Sequence, residues 1–164
     1  MSSTVYPIGY SAPGSLPRID ELMQQSQMLL IDTRYSAKSW NPQWQESTLR
    51  ERYGDRYRVA GRYLGNVNYK GGPIKLANPE RGICGLCQYL GEGYDLILLC
   101  QCKEYETCHC KVVVQALQEA RSDVQVIQPA SMTCHCCDVP VTPETSEVYA
   151  DVQHEYWLCF ECIK

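Results

Sequence analysis

The sequence predicts an α/β fold, a mainly parallel sheet with helices on both faces, followed by a small zinc-ribbon-like β-hairpin. Short apolar runs such as Met28–Asp32 and Leu96–Leu99 alternate with amphipathic segments of helical period. This alternation is typical of parallel sheets, whose strands are buried on both faces. From Pro129 onward the composition changes to paired cysteines. We therefore expect an α/β domain over residues 1–129 and a zinc-ribbon-like tail over residues 130–164.

Each element of the α/β domain has its own local signal. An apolar run that ends in polar residues predicts a strand, and a capping residue before an amphipathic stretch predicts a helix start. Ser15 is expected to cap the first helix, and Asn78 with Pro79 the third. The predicted order is strand Thr4–Gly9, helix Leu16–Gln25, strand Met28–Asp32, helix Ser47–Tyr53, strand Tyr57–Ala60, loop Gly65–Asn78, helix Pro79–Gly91, strand Leu96–Leu99, helix Lys111–Arg121 with Val112, Val113, Ala116 and Leu117 on its apolar side, and strand Asp123–Ile127.

Eleven cysteines in 164 residues, the first at position 84, are the outstanding feature of the composition. The start of the chain lacks the basic and apolar regions of a signal peptide, and no apolar run approaches the ~18 residues of a membrane span. We therefore expect a cytoplasmic protein without membrane association. In that reducing compartment, clustered cysteines more often bind metal or take part in catalysis than form disulfides.

The tail contains two CxxC pairs, which predict a structural zinc site. Cys134 and Cys137 form the first pair, Cys159 and Cys162 the second, with a hairpin-like segment between them. Four thiolates from two such turns give tetrahedral Zn²⁺, which can stabilise a segment too short to have its own core. Two alternatives remain, namely that Cys136 replaces Cys137 as a ligand, or that the tail binds no metal.

The cysteine-rich loop after the central strand is the candidate catalytic region. It contains Cys100, Cys102, Cys108, His109 and Cys110. A helix N-terminus lowers the pKa of a nearby thiol, and only the thiolate is a good nucleophile. We predict Cys100 or Cys108 as nucleophile and His109 as acid or base, with at least one loop thiol both ionised and open to solvent. The alternative for Cys100 is a small buried apolar residue at a strand end.

Polar residues that follow other predicted strands should meet this loop, because parallel strands end at one edge of the sheet. We predict a substrate-binding set of Tyr10, Asp32, Arg34, Asn66 and Cys102. The planar guanidinium of Arg34 suits an anion such as phosphate, sulfate or carboxylate, so Arg34 and the cysteine loop are expected to line one pocket. The alternative is that Asp32 and Arg34 form a structural ion pair.

Five motifs in order give the chain a resemblance to a known family. They are Tyr-Pro-Ile-Gly-Tyr-Ser at 6–11, Leu-Ile-Asp-Thr-Arg at 30–34, Trp-Asn-Pro at 40–42, Tyr-Leu-Gly-Asn at 63–66, and Leu-Leu-Cys at 98–100 with Cys-His at 108–109. Over about Thr4–Pro129 the chain resembles the small microbial α/β proteins called domain of unknown function four-eight-eight. The resemblance implies a fold and a place for the site, but no activity. The family pattern ends in Cys-His-Arg, whereas this chain has Cys110 in place of the arginine.

Two further features carry weaker hypotheses. Cys84 and Cys87 lie three residues apart on one predicted helix, so a second metal site or an iron–sulfur cluster with Cys102 and Cys108 or Cys110 is geometrically feasible. The alternative is that both cysteines pack in the core. Residues 34–75 contain nine Lys or Arg against three acidic residues, interleaved with aromatic residues, although the net charge of the chain is −4. Such a segment can bind nucleic acid, or it can be a solvated basic face.

Two functional hypotheses follow from the sequence. The first is a thiol-dependent enzyme that acts on a small anionic or nucleotide substrate at the carboxyl edge of the sheet. The second is a non-enzymatic, zinc-containing binding module for nucleic acid or a protein partner.

Overall fold

A computed structural model of the chain describes residues 2–12, 14–128, 146–150 and 155–159. The chain divides into two compact units, Met1–Gln128 and Pro129–Lys164. Among the described residues, no helix has the length and apolar character needed to cross a bilayer.

The first unit is built on a five-stranded sheet in which every strand pair is parallel. The strands are β1 (Ser3–Gly9), β2 (Met28–Asp32), β3 (Tyr57–Val59), β4 (Asp95–Cys100) and β5 (Val124–Val126), in the order β3-β2-β4-β1-β5. The helices are α1 (Ser15–Met23), α2 (Glu46–Tyr53), α3 (Gly61–Leu64), α4 (Pro79–Gly91) and α5 (His109–Ala120). The predicted α/β class is confirmed.

Successive side chains of β4 point to opposite faces of the sheet and contribute to two cores, one on each face. Leu96 and Leu98 pack with the buried residues of α4 and α5, whereas Ile97 and Leu99 pack with those of α1 and α2. All four side chains are fully buried. Helices therefore cover both faces, and β2 and β4 are nearly continuous apolar runs because both sides of these strands are in a core.

The strand order indicates where along the sheet a ligand is expected to bind. β4 lies between β1 and β2, and the chain leaves β1 toward one side of the sheet and β4 toward the other. In open α/β sheets, ligands bind outside the carboxyl ends of the strands where this direction changes. The carboxyl ends of β1 and β4, at Gly9 and Cys100, are paired with each other at this point.

Helix α5 begins at His109, two residues before its predicted start. Its N-cap is Cys108, whose sulfur accepts a hydrogen bond from the backbone N–H of Cys110. The buried face of α5 contains His109, Cys110 and Val114, and Val112 is 36% exposed rather than part of the apolar side.

Two other local expectations differ from the structure. The N-cap of α1 is Gly14, in a left-handed conformation with φ of 73°, and Ser15 is the first helical residue. The Ser15 hydroxyl instead donates to the Tyr10 carbonyl at 2.9 Å, which ties the helix start to the end of β1. The short helix α3 was not expected at all, since its four residues offer too little sequence for a helical period.

The second unit contains an antiparallel pair, β6 (Ser146–Ala150) and β7 (Glu155–Cys159). Of the predicted zinc ligands, Cys134, Cys137 and Cys162 lie outside the described residues, and the alternative ligand Cys136 does too. Cys159 is described only as the last residue of β7. The zinc site of the tail stays a prediction.

Candidate functional site at the carboxyl edge of the sheet

A cluster of three cysteines lies at the end of β4. The sulfur atoms of Cys100, Cys102 and Cys108 are all within 4.8 Å of one another, and those of Cys100 and Cys108 are 3.0 Å apart. Cys100 and Cys108 are each 2% exposed, whereas Cys102 is half-buried. Three sulfur ligands at these separations can hold a metal ion.

A glycine at the end of β1 sets the path of the cysteine loop. A Cβ atom built on Gly9 would lie 1.7 Å from the carbonyl oxygen of Cys102, so any side chain at this position would collide with the loop backbone. The backbone N–H of Tyr10 donates to the Cys100 carbonyl at 2.9 Å. The loop therefore crosses directly over the end of β1, and this crossing holds Cys102 beside the other two cysteines.

Thr33, which was not among the predicted site residues, connects the cysteine loop to β2. Its hydroxyl donates to the Leu99 carbonyl at 2.8 Å, and its carbonyl lies 3.0 Å from Nε2 of His109. A carbonyl can only accept, so Nε2 of His109 carries the hydrogen in this arrangement. The Thr33 hydroxyl oxygen is also 3.3 Å from the sulfur of Cys110. The sequence does contain a signal for Thr33, because this residue directly follows a buried strand and lies between Asp32 and Arg34.

The two buried thiols, Cys100 and Cys108, ionise differently. A hydrogen bond with Cys100 lowers the pKa of the Cys108 thiol. Hydrogen bonds with Cys102 and Cys108 raise the pKa of the Cys100 thiol. The position of Cys108 at the N-terminus of α5 favours the same assignment. Burial opposes the charged form of His109, but hydrogen bonds with Cys102 and Cys108 outweigh it and raise the pKa of His109 to about 9.

We predicted a loop thiol that is both ionised and open to solvent, but the structure divides these two properties between two cysteines. The thiol with a lowered pKa is Cys108, which is almost completely buried. The thiol that reaches an accessible surface is Cys102.

Asp32 and Arg34 form a buried ion pair, the structural alternative for these residues. Nε of Arg34 donates to one carboxylate oxygen of Asp32 at 2.8 Å, and Nη2 donates to the other at 2.5 Å. Nη1 donates to the Trp44 carbonyl at 2.7 Å, and the Tyr57 hydroxyl donates to Asp32 at 2.5 Å. All three guanidinium nitrogens have partners and Arg34 is 4% exposed, so the contacts favour a structural role for this residue.

A cleft of about 530 Å³ lies beside the cysteine cluster. Arg34 and the cysteine loop both line it, as predicted. Cys102, His109 and Asn66 also line it, so four of the selected residues meet there. Tyr10 takes a different position, because its ring stacks on Trp44 at 4.9 Å between centroids.

Cys84 and Cys87 are not part of the cluster. In the part of the chain that the structure describes, the group of His, Cys, Asp and Glu side chains close enough to hold a metal consists of Cys100, Cys102 and Cys108. Cys84 is exposed on α4 and Cys87 is half-buried there. A second metal site, if it exists in the described part of the chain, would therefore use Cys100 with Cys102 and Cys108, and not Cys84 and Cys87.

Part of the basic segment is already engaged in contacts within the domain. Arg50 pairs with Glu46 on α2, and Arg52 pairs with Asp20 of α1. Arg56 donates to two backbone carbonyls at the end of α1. These contacts, with the buried Arg34, leave fewer cations for a nucleic-acid surface than the sequence count suggests.

Comparison with models of known protein families, with curated proteins and with solved structures found no match.

Proposed function

We propose that Cys100, Cys102 and Cys108 bind Zn²⁺ and that the site acts on a small anionic substrate held in the adjoining cleft. The observation that carries this proposal is the convergence of the three sulfur atoms within 4.8 Å at the carboxyl edge of the sheet. Thiolates are soft ligands, which favour zinc and other transition metals over calcium or magnesium. In a reducing cytoplasm, where we place the protein, thiols remain available as ligands.

The spacing of the sulfur atoms is compatible with a tetrahedral centre after small shifts. Zn–S bonds of ~2.3 Å imply sulfur atoms about 3.8 Å apart. The three sulfur atoms of the cluster, at 3.0 Å for one pair and up to 4.8 Å overall, bracket this value. Binding would thus require the sulfurs of Cys100 and Cys108 to separate by about 0.8 Å.

Three protein ligands beside a cleft favour a reactive site over a purely structural one. Structural zinc sites have four protein ligands, whereas catalytic sites have three and keep one position for water or substrate. Cys102 is the ligand that reaches the cleft, and His109 lines the cleft with its Nε2 hydrogen directed to Thr33. We infer that His109 acts as the acid or base in the cleft.

The metal content of the full-length protein tests this proposal. We expect Cys102→Ser to lower the zinc content by about one ion per chain, because it removes one of three ligands. Cys84→Ser is the matched control, since this cysteine is exposed on α4 and outside the cluster. Elemental analysis after dialysis against a weak chelator gives the measurement. Equal zinc contents in the wild type and both variants would show that the cluster holds no zinc.

A binding module for nucleic acid is the second candidate, and one surface feature favours it. The guanidinium groups of Arg62 and Arg81 both lie near the ring of Tyr63, at 5.7 and 5.9 Å from its centroid. A basic and aromatic surface of this kind can contact phosphates and bases. Under this alternative, Cys102→Ser leaves binding unchanged, and affinity for single-stranded oligonucleotides falls steeply with salt concentration.

A further inference from the structure

We propose that the cleft beside the cysteine cluster binds a nucleoside monophosphate, with the base on an aromatic wall formed by Tyr35 and Tyr69. This assignment names the ligand of the site proposed above and rests on that proposal for the location of the chemistry. Four features of the cleft support it, namely exposed rings, a fixed amide donor, a described lining without carboxylates, and size.

The aromatic wall consists of two tyrosines that are both largely exposed. Tyr35 is 49% exposed and Tyr69 is 58% exposed, and their rings stack with centroids 5.4 Å apart. Neither ring belongs to the two buried cores, in contrast to Tyr57, which is buried and hydrogen-bonded to Asp32. An exposed pair of stacked rings at the side of a cleft offers a face for a planar ligand.

The backbone holds this wall in place. Tyr35 follows β2 and Tyr69 lies in the segment after α3, so the rings come from different parts of the chain. A Cβ atom on Gly65 would lie 2.5 Å from Cα of Tyr35, and one on Gly61 would lie 1.8 Å from the Arg34 carbonyl oxygen. Two glycines thus allow the α3 segment to pack directly against the loop that carries Tyr35. Lys70 lies 5.7 Å from the centroid of Tyr69, which leaves Tyr35 as the ring for a base to stack on.

Asn66 supplies a hydrogen-bond donor of fixed orientation. Its side-chain oxygen accepts from the backbone N–H groups of Asn68 at 3.1 Å and Lys75 at 3.0 Å. These two contacts define which end of the amide is oxygen, and the NH₂ group has no partner among the described residues. Asn66 lines the cleft. Its NH₂ group can therefore donate to a carbonyl or ring nitrogen, which every nucleobase has.

The charge and size of the cleft suit a phosphate-bearing ligand. No Asp or Glu is among the described residues that line it, although the chain as a whole has a net charge of −4. Lys38 supplies an exposed cation, and Ser36 and Thr107 supply hydroxyl donors. The volume of about 530 Å³ falls within the range of ~300–1,000 Å³ that is usual for small-ligand pockets.

Calorimetric titration of the full-length protein with AMP, GMP, CMP and UMP tests the proposal. We expect saturable binding of at least one nucleotide, and at least about 5-fold weaker binding by Tyr35→Ala, because one stacked ring is lost. Tyr35→Phe keeps the stacking face and should bind within about 2-fold of the wild type. Trp40→Ala is the control for unspecific stacking, since this indole is fully exposed and outside the cleft lining.

Ribose 5-phosphate and a short single-stranded oligonucleotide serve as competing probes. The proposal requires that ribose 5-phosphate binds at least about 5-fold more weakly than the best nucleotide, because it lacks a base. No nucleotide binding, equal binding of ribose 5-phosphate, or a loss in Trp40→Ala as large as in Tyr35→Ala would overturn the proposal. Tighter binding of the oligonucleotide than of any mononucleotide would also overturn it, in favour of nucleic acid.

Zinc content measured on the same samples separates this proposal from the preceding one. Tyr35→Ala should retain the zinc of the wild type, because neither tyrosine is a ligand. A protein that binds a nucleotide but holds no zinc at the cluster would contradict the proposed metal site and leave the nucleotide assignment standing. A protein with zinc at the cluster but no nucleotide affinity would contradict the present assignment alone.

Discussion

At the scale of single residues, burial decides what a charged side chain can do. Arg34 follows a strand at the functional edge, and from the sequence alone it suits either anion binding or an ion pair with Asp32. The structure supplies Trp44 and Tyr57, from later segments, as further partners. These contacts depend on how distant segments pack, so the sequence could name both options but not choose between them.

Arg34→Met is expected to destabilise the protein by ~3–5 kcal/mol, because it leaves the buried Asp32 carboxylate without its cation. Urea unfolding followed by circular dichroism gives the measurement. Arg18→Met is the matched control, since Arg18 pairs with Glu21 on the exposed surface of α1, and its loss should change stability by only ~0.5 kcal/mol. Similar destabilisation by both variants would mean that the Asp32–Arg34 pair is not the structural contact described above.

The candidate site was partly predictable at this scale. Cys100, Cys102, Cys108 and His109 could be selected because they follow an apolar strand within a short stretch of sequence. Thr33 was missed because threonine has no metal affinity or obvious catalytic signature, and its role comes from contacts with Leu99 and His109 that are distant in the chain.

At the scale of elements, helix ends and close approaches decide where the cysteines lie. The start of α5 was predicted two residues late because cysteine is not among the usual N-cap residues, Ser, Thr, Asp and Asn. With the cap at Cys108, His109 moves onto the buried face of α5. The crossing of the cysteine loop over Gly9 could not be predicted, because it depends on the pairing of β1 with β4.

Gly9→Ala is expected to disrupt the cysteine cluster, because its Cβ would lie 1.7 Å from the Cys102 carbonyl oxygen. The loop must move away, so zinc content should fall and the protein should be destabilised. Gly85→Ala is the control, since it lies within α4 and its added Cβ would meet no heavy atom within 4 Å beyond the neighbouring backbone of its own helix. This variant should gain ~0.5–1 kcal/mol from the better helix propensity of alanine.

Urea unfolding and elemental analysis of the two glycine variants give the measurements. A Gly9→Ala protein with the zinc content and stability of the wild type would show that the loop does not pass over β1 as described.

At the scale of the whole molecule, the sequence predicted the fold class but not the strand order. The alternation of apolar strands and amphipathic helices is a local pattern and can be read along the chain. The order β3-β2-β4-β1-β5 depends on which strands pair over long distances, and no local pattern encodes that choice. The convergence at one edge could still be predicted, because in a parallel sheet all carboxyl ends face the same way.

The whole chain is proposed to contain two zinc sites, one at the sheet edge and one in the tail. A three-cysteine site with an open position exposes its metal to attack by a chelator, whereas a closed site of four cysteines does not. We therefore expect release of zinc to EDTA in two phases of about one ion each, with the faster phase from the cluster at Cys100, Cys102 and Cys108. Cys102→Ser should remove the fast phase only. Cys159→Ala should remove the slow phase only, because it breaks the predicted tail site.

The losses of zinc in Cys102→Ser and Cys159→Ala should be additive in the double variant, because the two ligand sets lie in different units of the chain and share no residue. A zinc-sensitive dye in the release assay gives both the rates and the amplitudes. A single phase of one ion that disappears in Cys159→Ala would mean that the tail alone binds zinc, and the cysteines at the sheet edge would then have to act as free thiols.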